Sequence, residues 1–340
     1  MMNPSAATQK TQKTQKTQKT HQAQSGHARH WWSVARRFNT VAILIVLVIA
    51  ASFVSSDFFS VANLSNISRQ VAGVGIMSVG MLLVVLTGGI DLSVGSIAAL
   101  GSVVSAMLIP QYGLSVALLV TLLVGGLCGF VSGALIAWFR LTPFVVTLAM
   151  MTVARGVAMI VSNGSPILVD DAGQALLDFG RHSYFGVPGP TLVMLLVFVT
   201  GGIALNRLRA GRVVRAIGSN EEAVRLSGVP VARHVLGTYV SSGLLAALAG
   251  IISTSRAGVG APTVGVGDEL TVIAAVVIGG ASLAGGKGGA VNTLMGVLIL
   301  GVIGNIMNLA SVPGYHQQVV MGVIIVAAVL SQRGARFWRR

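Results

Sequence analysis

Long apolar runs alternate along this chain with short polar breaks. The runs lie at about 41–54, 71–86, 91–109, 114–138, 143–161, 191–205, 235–254, 270–283, 289–311 and 316–331, about ten in all. Crossing a hydrocarbon core takes roughly 20 residues of helix. Several runs are short for a straight crossing, which implies bent, broken or partly re-entrant segments. The pattern predicts an all-α, polytopic membrane helical bundle. Its most basic polar interruption within the membrane domain is 206–234, which carries Arg207, Arg209, Arg212, Arg215, Arg225 and Arg233 with the adjacent acids Glu221 and Glu222.

Composition agrees. The chain is 54% apolar and only 9% charged, with 43 glycines, and Gly is frequent in membrane helices. The net charge of +14 does not imply a nucleic-acid partner, because basic residues are retained on the cytoplasmic side of membrane proteins. With the N-terminus inside and ten crossings, nineteen basic residues fall inside, three (Arg69, Arg181, Arg256) fall outside, and Arg155 lies within a segment. Both termini are therefore expected in the cytoplasm.

Residues 8–19 are four Thr-Gln-Lys copies, so 1–38 is expected to be a disordered basic tail. Trp31 and Trp32 fit either an interfacial anchor or plain tail residues. The membrane domain is 39–332, and 333–340 is a second basic tail. The lone Cys128 reads as a packing residue. The scattered histidines offer no metal-ligand cluster, and no catalytic set is visible. The outer loops 162–190 and 255–269 are acidic, either as solvated loops or as a docking surface for a soluble partner.

Gly88-Gly89-Ile90-Asp91-Leu92-Ser93-Val94-Gly95 and Gly279-Gly280-Ala281-Ser282-Leu283-Ala284-Gly285-Gly286 share the pattern Gly-Gly-x-x-Leu-x-x-Gly. Transporters commonly carry such internal echoes, with half-helix ends pointing inward. Chance in a Gly-rich chain is the alternative. Gly125, Gly129 and Gly133 form a small-residue packing face. Asp91, followed by Ser93, either caps the next helix, where the dipole favours negative charge, or touches a solute. Arg155, costly within a membrane, is expected to be functional or paired, unless it snorkels to the interface. Gly285-Gly286-Lys287-Gly288-Gly289 is no phosphate loop, since that pattern needs Gly at 281 and Ser or Thr at 288, where this chain has Ala281 and Gly288. Ser219 or Asn220 starts a short helix with Glu221 and Glu222 in its first turn, and Gly228 ends it. Such an element is either a plain surface helix or a rigid lever for a soluble motor.

Taken together, Ile90-Asp91-Leu92-Ser93-Val94-Gly95-Ser96, Thr142-Pro143-Phe144, Thr147-Leu148, Asn163-Gly164-Ser165-Pro166, Ile217-Gly218, Asn220 through Val229, and Ile273 through Gly288 resemble the permease subunit of bacterial ribose-type monosaccharide ABC importers. The likeness runs in order from about residue 40 to 331. It implies a homodimer in the bacterial inner membrane, a cytoplasmic ATP-binding subunit that alone uses ATP and Mg, and a periplasmic or extracellular sugar-binding protein. No cofactor is expected on this chain. The resemblance implies a coupling helix comprising Asn220, Glu221, Glu222, Ala223, Arg225, Leu226 and Gly228. Asp91, Ser93, Arg155 and Glu269 are the candidates for a translocation path or gate. Where the family reads Glu-Leu-Asp, this chain has Glu269-Leu270-Thr271, and pentoses, hexoses and small signalling molecules all remain open as cargo. The rival class is an ion-coupled secondary transporter, which needs ionisable groups at mid-membrane; apart from Asp91 the sequence offers almost none.

Overall fold

The computed structural model describes residues 40–337. The basic tail 1–38, its tryptophans, and Arg339 and Arg340 lie outside the described residues. The chain divides into a unit of residues 1–46 and a unit of residues 47–340. In the first, the described residues are the helical start of α1 (Thr40–Val54).

Polar interruptions and glycines decide where the helices of the second unit begin and end. The Ser60 hydroxyl accepts from the Asn63 backbone N–H at 3.2 Å and starts α2 (Val61–Leu86). The 71–86 segment therefore begins ten residues early, because Asn63, Ser65, Asn66 and Arg69 hide the helix from a hydropathy reading. Next comes α3 (Val94–Ala137), broken at Gly113 with φ 77° and ψ 166°. Backbones of Gly101, before the break, and Gly125, after it, both abut Ala247, so the chain folds back as a hairpin of two arms. These match the separate 91–109 and 114–138 segments. Pro143 opens α4 (Pro143–Val161), where its missing N–H costs nothing.

The 162–190 stretch is more structured than a plain loop. It holds β1 (Ile167–Leu168), α5 (Gln174–Arg181), β2 (Ser183–Tyr184) and β3 (Val187–Pro188), with β2 and β3 pairing antiparallel. Then follow α6 (Gly189–Arg207), α7 (Arg209–Ser219), α8 (Glu221–Leu226), α9 (Val231–Ala257) and β4 (Val259–Gly260), which pairs antiparallel with β1. The chain closes with α10 (Asp268–Ile278), α11 (Ala290–Leu309) and α12 (Gly314–Phe337).

Among the described residues six helices are long and apolar enough to cross a membrane: α2, α3, α4, α6, α9 and α11. The expected crossing 270–283 is corrected to the 11-residue α10, about 16 Å of helix. Asp268 and Glu269 start it and Gly279 and Gly280 stop it, Gly280 taking φ 83°.

The hub is α9. Gly125, Gly129 and Gly133 of α3 press on the backbone of Gly243, Tyr239 and Leu236 respectively, and Gly101 and Gly80 meet Ala247 and Ser242. These approaches leave no room for side chains, as expected of small-residue membrane packing. The Ser102 and Thr254 hydroxyls add a 2.8 Å hydrogen bond between α3 and α9. On the outside of the α3 return arm, Leu119, Leu123 and Leu127 recur every four residues, each about 60% exposed. One face thus packs through glycine and the other is oily, which is the arrangement of a helix between protein and lipid.

Candidate functional site

Two helices begin inside the bundle rather than at its surface. The Asp91 carboxylate accepts from the Ser93 backbone N–H at 3.0 Å, the Ser93 hydroxyl at 2.5 Å and the Ser242 hydroxyl of α9 at 2.7 Å. Ser242 lies about 16 Å along α9 from Val231 and about 22 Å from Ala257. Gly80, which packs on Ser242, sits about 9 Å short of the end of α2. Residues 87–91 therefore climb back into the bundle, and α3 starts at that depth. Asp91 is 1% exposed. It satisfies the turn ahead of α3, where the helix dipole favours an acid, and does not face a solute in this conformation.

The 258–267 segment descends from the opposite direction. Gly260 abuts Ser102 and Ala106, whereas Gly265 abuts Gly95, about 10 Å deeper along α3. There α10 starts, with Asp268 and Glu269 in its first turn. A Cβ on Gly95 would stand 2.6 Å from Glu269 Oε2, an oxygen buried without a hydrogen-bond partner. The starts of α3 and α10 are thus brought together in the interior. Asp268 and Glu269 do not decorate an outer loop, which corrects the reading of 255–269 as an acidic exposed surface.

Arg155, half-buried on α4, completes this arrangement. One of its terminal nitrogens donates to the Pro262 and Val264 carbonyls, both at 2.7 Å. The descending segment is irregular and leaves its carbonyls without helical partners, and the guanidinium supplies them. Asp268 and Glu269 act electrostatically on Arg155, though neither lies within ion-pair distance. Asp91, Ser93 and Glu269 therefore gather around the two helix starts, and Arg155 holds the segment that leads into α10. Ser242 and Tyr239 belong with them and were not legible, because a hydroxyl on an apolar helix carries no pattern. The Tyr239 hydroxyl lies against Gly89 and is buried without a partner. Replacing Asp91 with Ala would strand three donors and is expected to cost about 3 kcal/mol, read by thermal unfolding in detergent. A loss below about 0.5 kcal/mol would contradict this account.

At the α8 end of the bundle the two echoed Gly-rich segments meet. The Gly286 N–H donates to the Leu86 carbonyl at 3.0 Å, Gly285 lies against Gly88, and Gly218 at the end of α7 is wedged among Leu86, Gly285 and Gly286. Gly285 and Gly286 take φ 88° and 73°, values that only Gly adopts without strain. The glycine run 285–289 is thus a backbone junction, with its Gly286 N–H already committed.

This junction joins α8 directly. Asn220 caps α8 by accepting from the Ala223 N–H at 3.0 Å, Glu221 and Glu222 fill its first turn, and Gly228 at φ 81° turns the chain out. Glu222 pairs with Arg225. Nothing on α8 is buried, and Leu226 is 79% exposed. Arg215 donates to the Leu205 carbonyl at 2.9 Å and Asn206 Oδ1 at 3.0 Å, so some arginines of 206–234 cap α6 as well as marking a side. A cleft of about 600 Å³ separates α8 and the start of α9 from Gly88, Gly89 and Arg140, with Glu221 and Arg225 on its wall. Among the described residues no cluster of His, Cys, Asp or Glu is placed to hold a metal ion.

Comparison with known proteins is decisive at this point. Residues 63–329 match the model of the branched-chain amino acid transport system / permease component family. The chain belongs to that family. It is 45% identical to the ribose import permease protein RbsC of Escherichia coli K12 over 295 residues, 86% of this chain and 92% of the relative. With RbsC of Bacillus subtilis 168 it shares 41% over 305 residues, 89% and 95% of the two chains. The L-arabinose transport system permease protein AraH of E. coli K12 is 37% identical over 301 residues, 87% and 90%. No solved structure matches the chain. This permease-family member is a multi-pass membrane protein, and the resemblance read from its motifs holds.

Proposed function

We propose that two copies of this chain form the membrane channel of an ATP-driven, binding-protein-dependent importer of ribose or a related monosaccharide in the bacterial inner membrane. The choice of sugar follows the relatives named for ribose and arabinose. The observation that carries the channel is the irregular 261–267 segment at depth. Backbone of that kind is tolerated inside a membrane only where protein covers it or where it lines a water-filled path. In the single chain Thr263 is exposed, Val266 is 66% exposed and Leu270 51%. A second copy facing a shared path meets both conditions. Arg155 then fixes the shape of the path wall, and Glu269, whose unpartnered oxygen is buried against Gly95 in this conformation, becomes an acceptor for a sugar hydroxyl only when the wall opens.

On this reading the arginine-rich α8 end is cytoplasmic by the positive-inside rule, and both termini lie with it. The exposed α8 seats in a separate ATP-binding subunit. ATP shifts the access equilibrium by favouring one permease state, since a ligand moves an equilibrium only by its differential affinity. A bundle with so few charged groups suits a neutral polyol better than an ion.

The test is uptake of labelled ribose and arabinose into proteoliposomes holding this chain, its ATP-binding subunit and its sugar-binding protein. Uptake is expected to require ATP, to stop with vanadate and to ignore uncouplers. Accumulation by this chain alone, abolished by an uncoupler, would establish ion-coupled transport instead.

A further inference from the structure

At the end of the bundle away from α8, a cavity of about 500 Å³ opens between α2, α5, α9 and the descending segment. Arg69, Arg181 and Arg256 line it, with Asn66, Ser253 and Val264. Three cations around one cavity in an apolar protein call for an explanation: Arg181 is exposed, but Arg69 and Arg256 are half-buried, and buried charge is costly unless paired. Among the described residues the ion pairs are Asp178–His182 and Glu222–Arg225, so none of these three arginines has an acid partner. Asp178, the acid one turn before Arg181, also takes a hydrogen bond from Gln174 at 2.9 Å.

The Arg69 guanidinium is held in place. Arg69 donates to the Arg181 carbonyl at 2.8 Å and to the Ser183 hydroxyl at 3.2 Å, while its Nε is buried without a partner. Arg181 reaches to within 3.5 Å of where a Cβ on Gly258 would stand. Arg256, half-buried in the last turn of α9, makes no hydrogen bond among the described residues and lies within electrostatic reach of Arg69. Arg155, deeper in the bundle, uses its guanidinium on carbonyls, which shows the contrast: here the donors are left over.

We propose that this cavity is a binding site for a phosphate-type oxyanion. Planar guanidiniums bind such groups through paired, charge-assisted hydrogen bonds, and the Asn66 amide and Ser253 hydroxyl add neutral donors. The anion cancels the repulsion between Arg69 and Arg256 and ties α2, α5 and α9 together. It is supplied by a free phosphate or by the headgroup of a phospholipid, which offer the same chemistry. The inference does not depend on the transported solute.

The experiment uses the full-length chain and has two arms. In phosphatidylcholine nanodiscs, inorganic phosphate is titrated at constant ionic strength with chloride as the balancing salt, and binding is followed by calorimetry. In parallel, protein extracted from phosphatidylglycerol-containing membranes is examined by native mass spectrometry for retained lipid. A free-anion site gives saturable phosphate binding, weakened about tenfold or more by Arg256→Gln and unchanged by Arg207→Gln, an exposed arginine at the other end. A headgroup site gives retained phosphatidylglycerol that Arg256→Gln loses and Arg207→Gln keeps. Absence of both ligands from the wild-type chain overturns the proposal, as does an Arg256→Gln variant that keeps whichever is bound. Arg69→Gln is a second variant. Arg256→Gln carries the test if Arg69→Gln fails to fold, because Arg256 has no hydrogen bond to lose.

Discussion

Replacing Gly218 with valine is expected to abolish ATP-driven uptake while the protein still inserts into the membrane. Gly218 sits in the last turn of α7, just before the Ser219–Asn220 step into α8, and a Cβ there collides with the Leu86 carbonyl and the backbone of Gly285 and Gly286. None of these is a flexible side chain that can move aside. Overpacking a site of this kind costs about 1–3 kcal/mol, which a bundle of this size can survive. The cost falls where three segments meet: the end of α2 before its chain climbs to Asp91, the α10–α11 connection, and α7. Forcing them apart uncouples α8 from both helices that begin in the interior. The proteoliposome assay reads uptake, and retention of the ATP-binding subunit on the purified variant reads docking. Uptake lost with docking kept is the expected pair. Wild-type uptake in Gly218→Val would show that the junction transmits nothing.

Much of this architecture was legible because membrane segments are written in hydropathy. The arms of α3, with α4, α6, α9 and α11, fell close to where the apolar runs put them. Asn220 as a cap, Glu221 and Glu222 in the first turn and Gly228 at the exit followed from local chemistry alone, since a short helix must satisfy its own ends. What stayed hidden depends on contacts distant in sequence. The polar first ten residues of α2 look like a loop until Asn63 is seen bonded to Asn305 of α11. The 255–269 acids look like a surface until Gly265 is placed against Gly95. The two glycine echoes were visible as strings, yet nothing in the strings says that Gly88 touches Gly285 or that Gly218 fills the space beside them.

The second large effect is expected at α8 itself. A combined Glu222→Arg and Leu226→Asp substitution touches no buried group, and the exposed Glu222–Arg225 pair contributes about 0.5 kcal/mol to the fold. Insertion and thermal stability should therefore stay close to wild type. Docking is another matter. Protein interfaces draw most of their energy from a few anchors inserted into closed pockets, each worth about 2 kcal/mol or more when removed. An apolar side chain left 79% exposed on a capped, rigid helix has the form of such an anchor, and an aspartate there must be desolvated without a partner. Losing about 3 kcal/mol lowers affinity more than a hundredfold, enough to remove the ATP-binding subunit during purification and to stop uptake. The alternative is that α8 is a solvated helix whose exposure means nothing. In that case the double variant keeps its ATP-binding subunit and its uptake, and the force driving the access change must enter elsewhere, with the Arg140 side of the neighbouring cleft as the next surface to substitute.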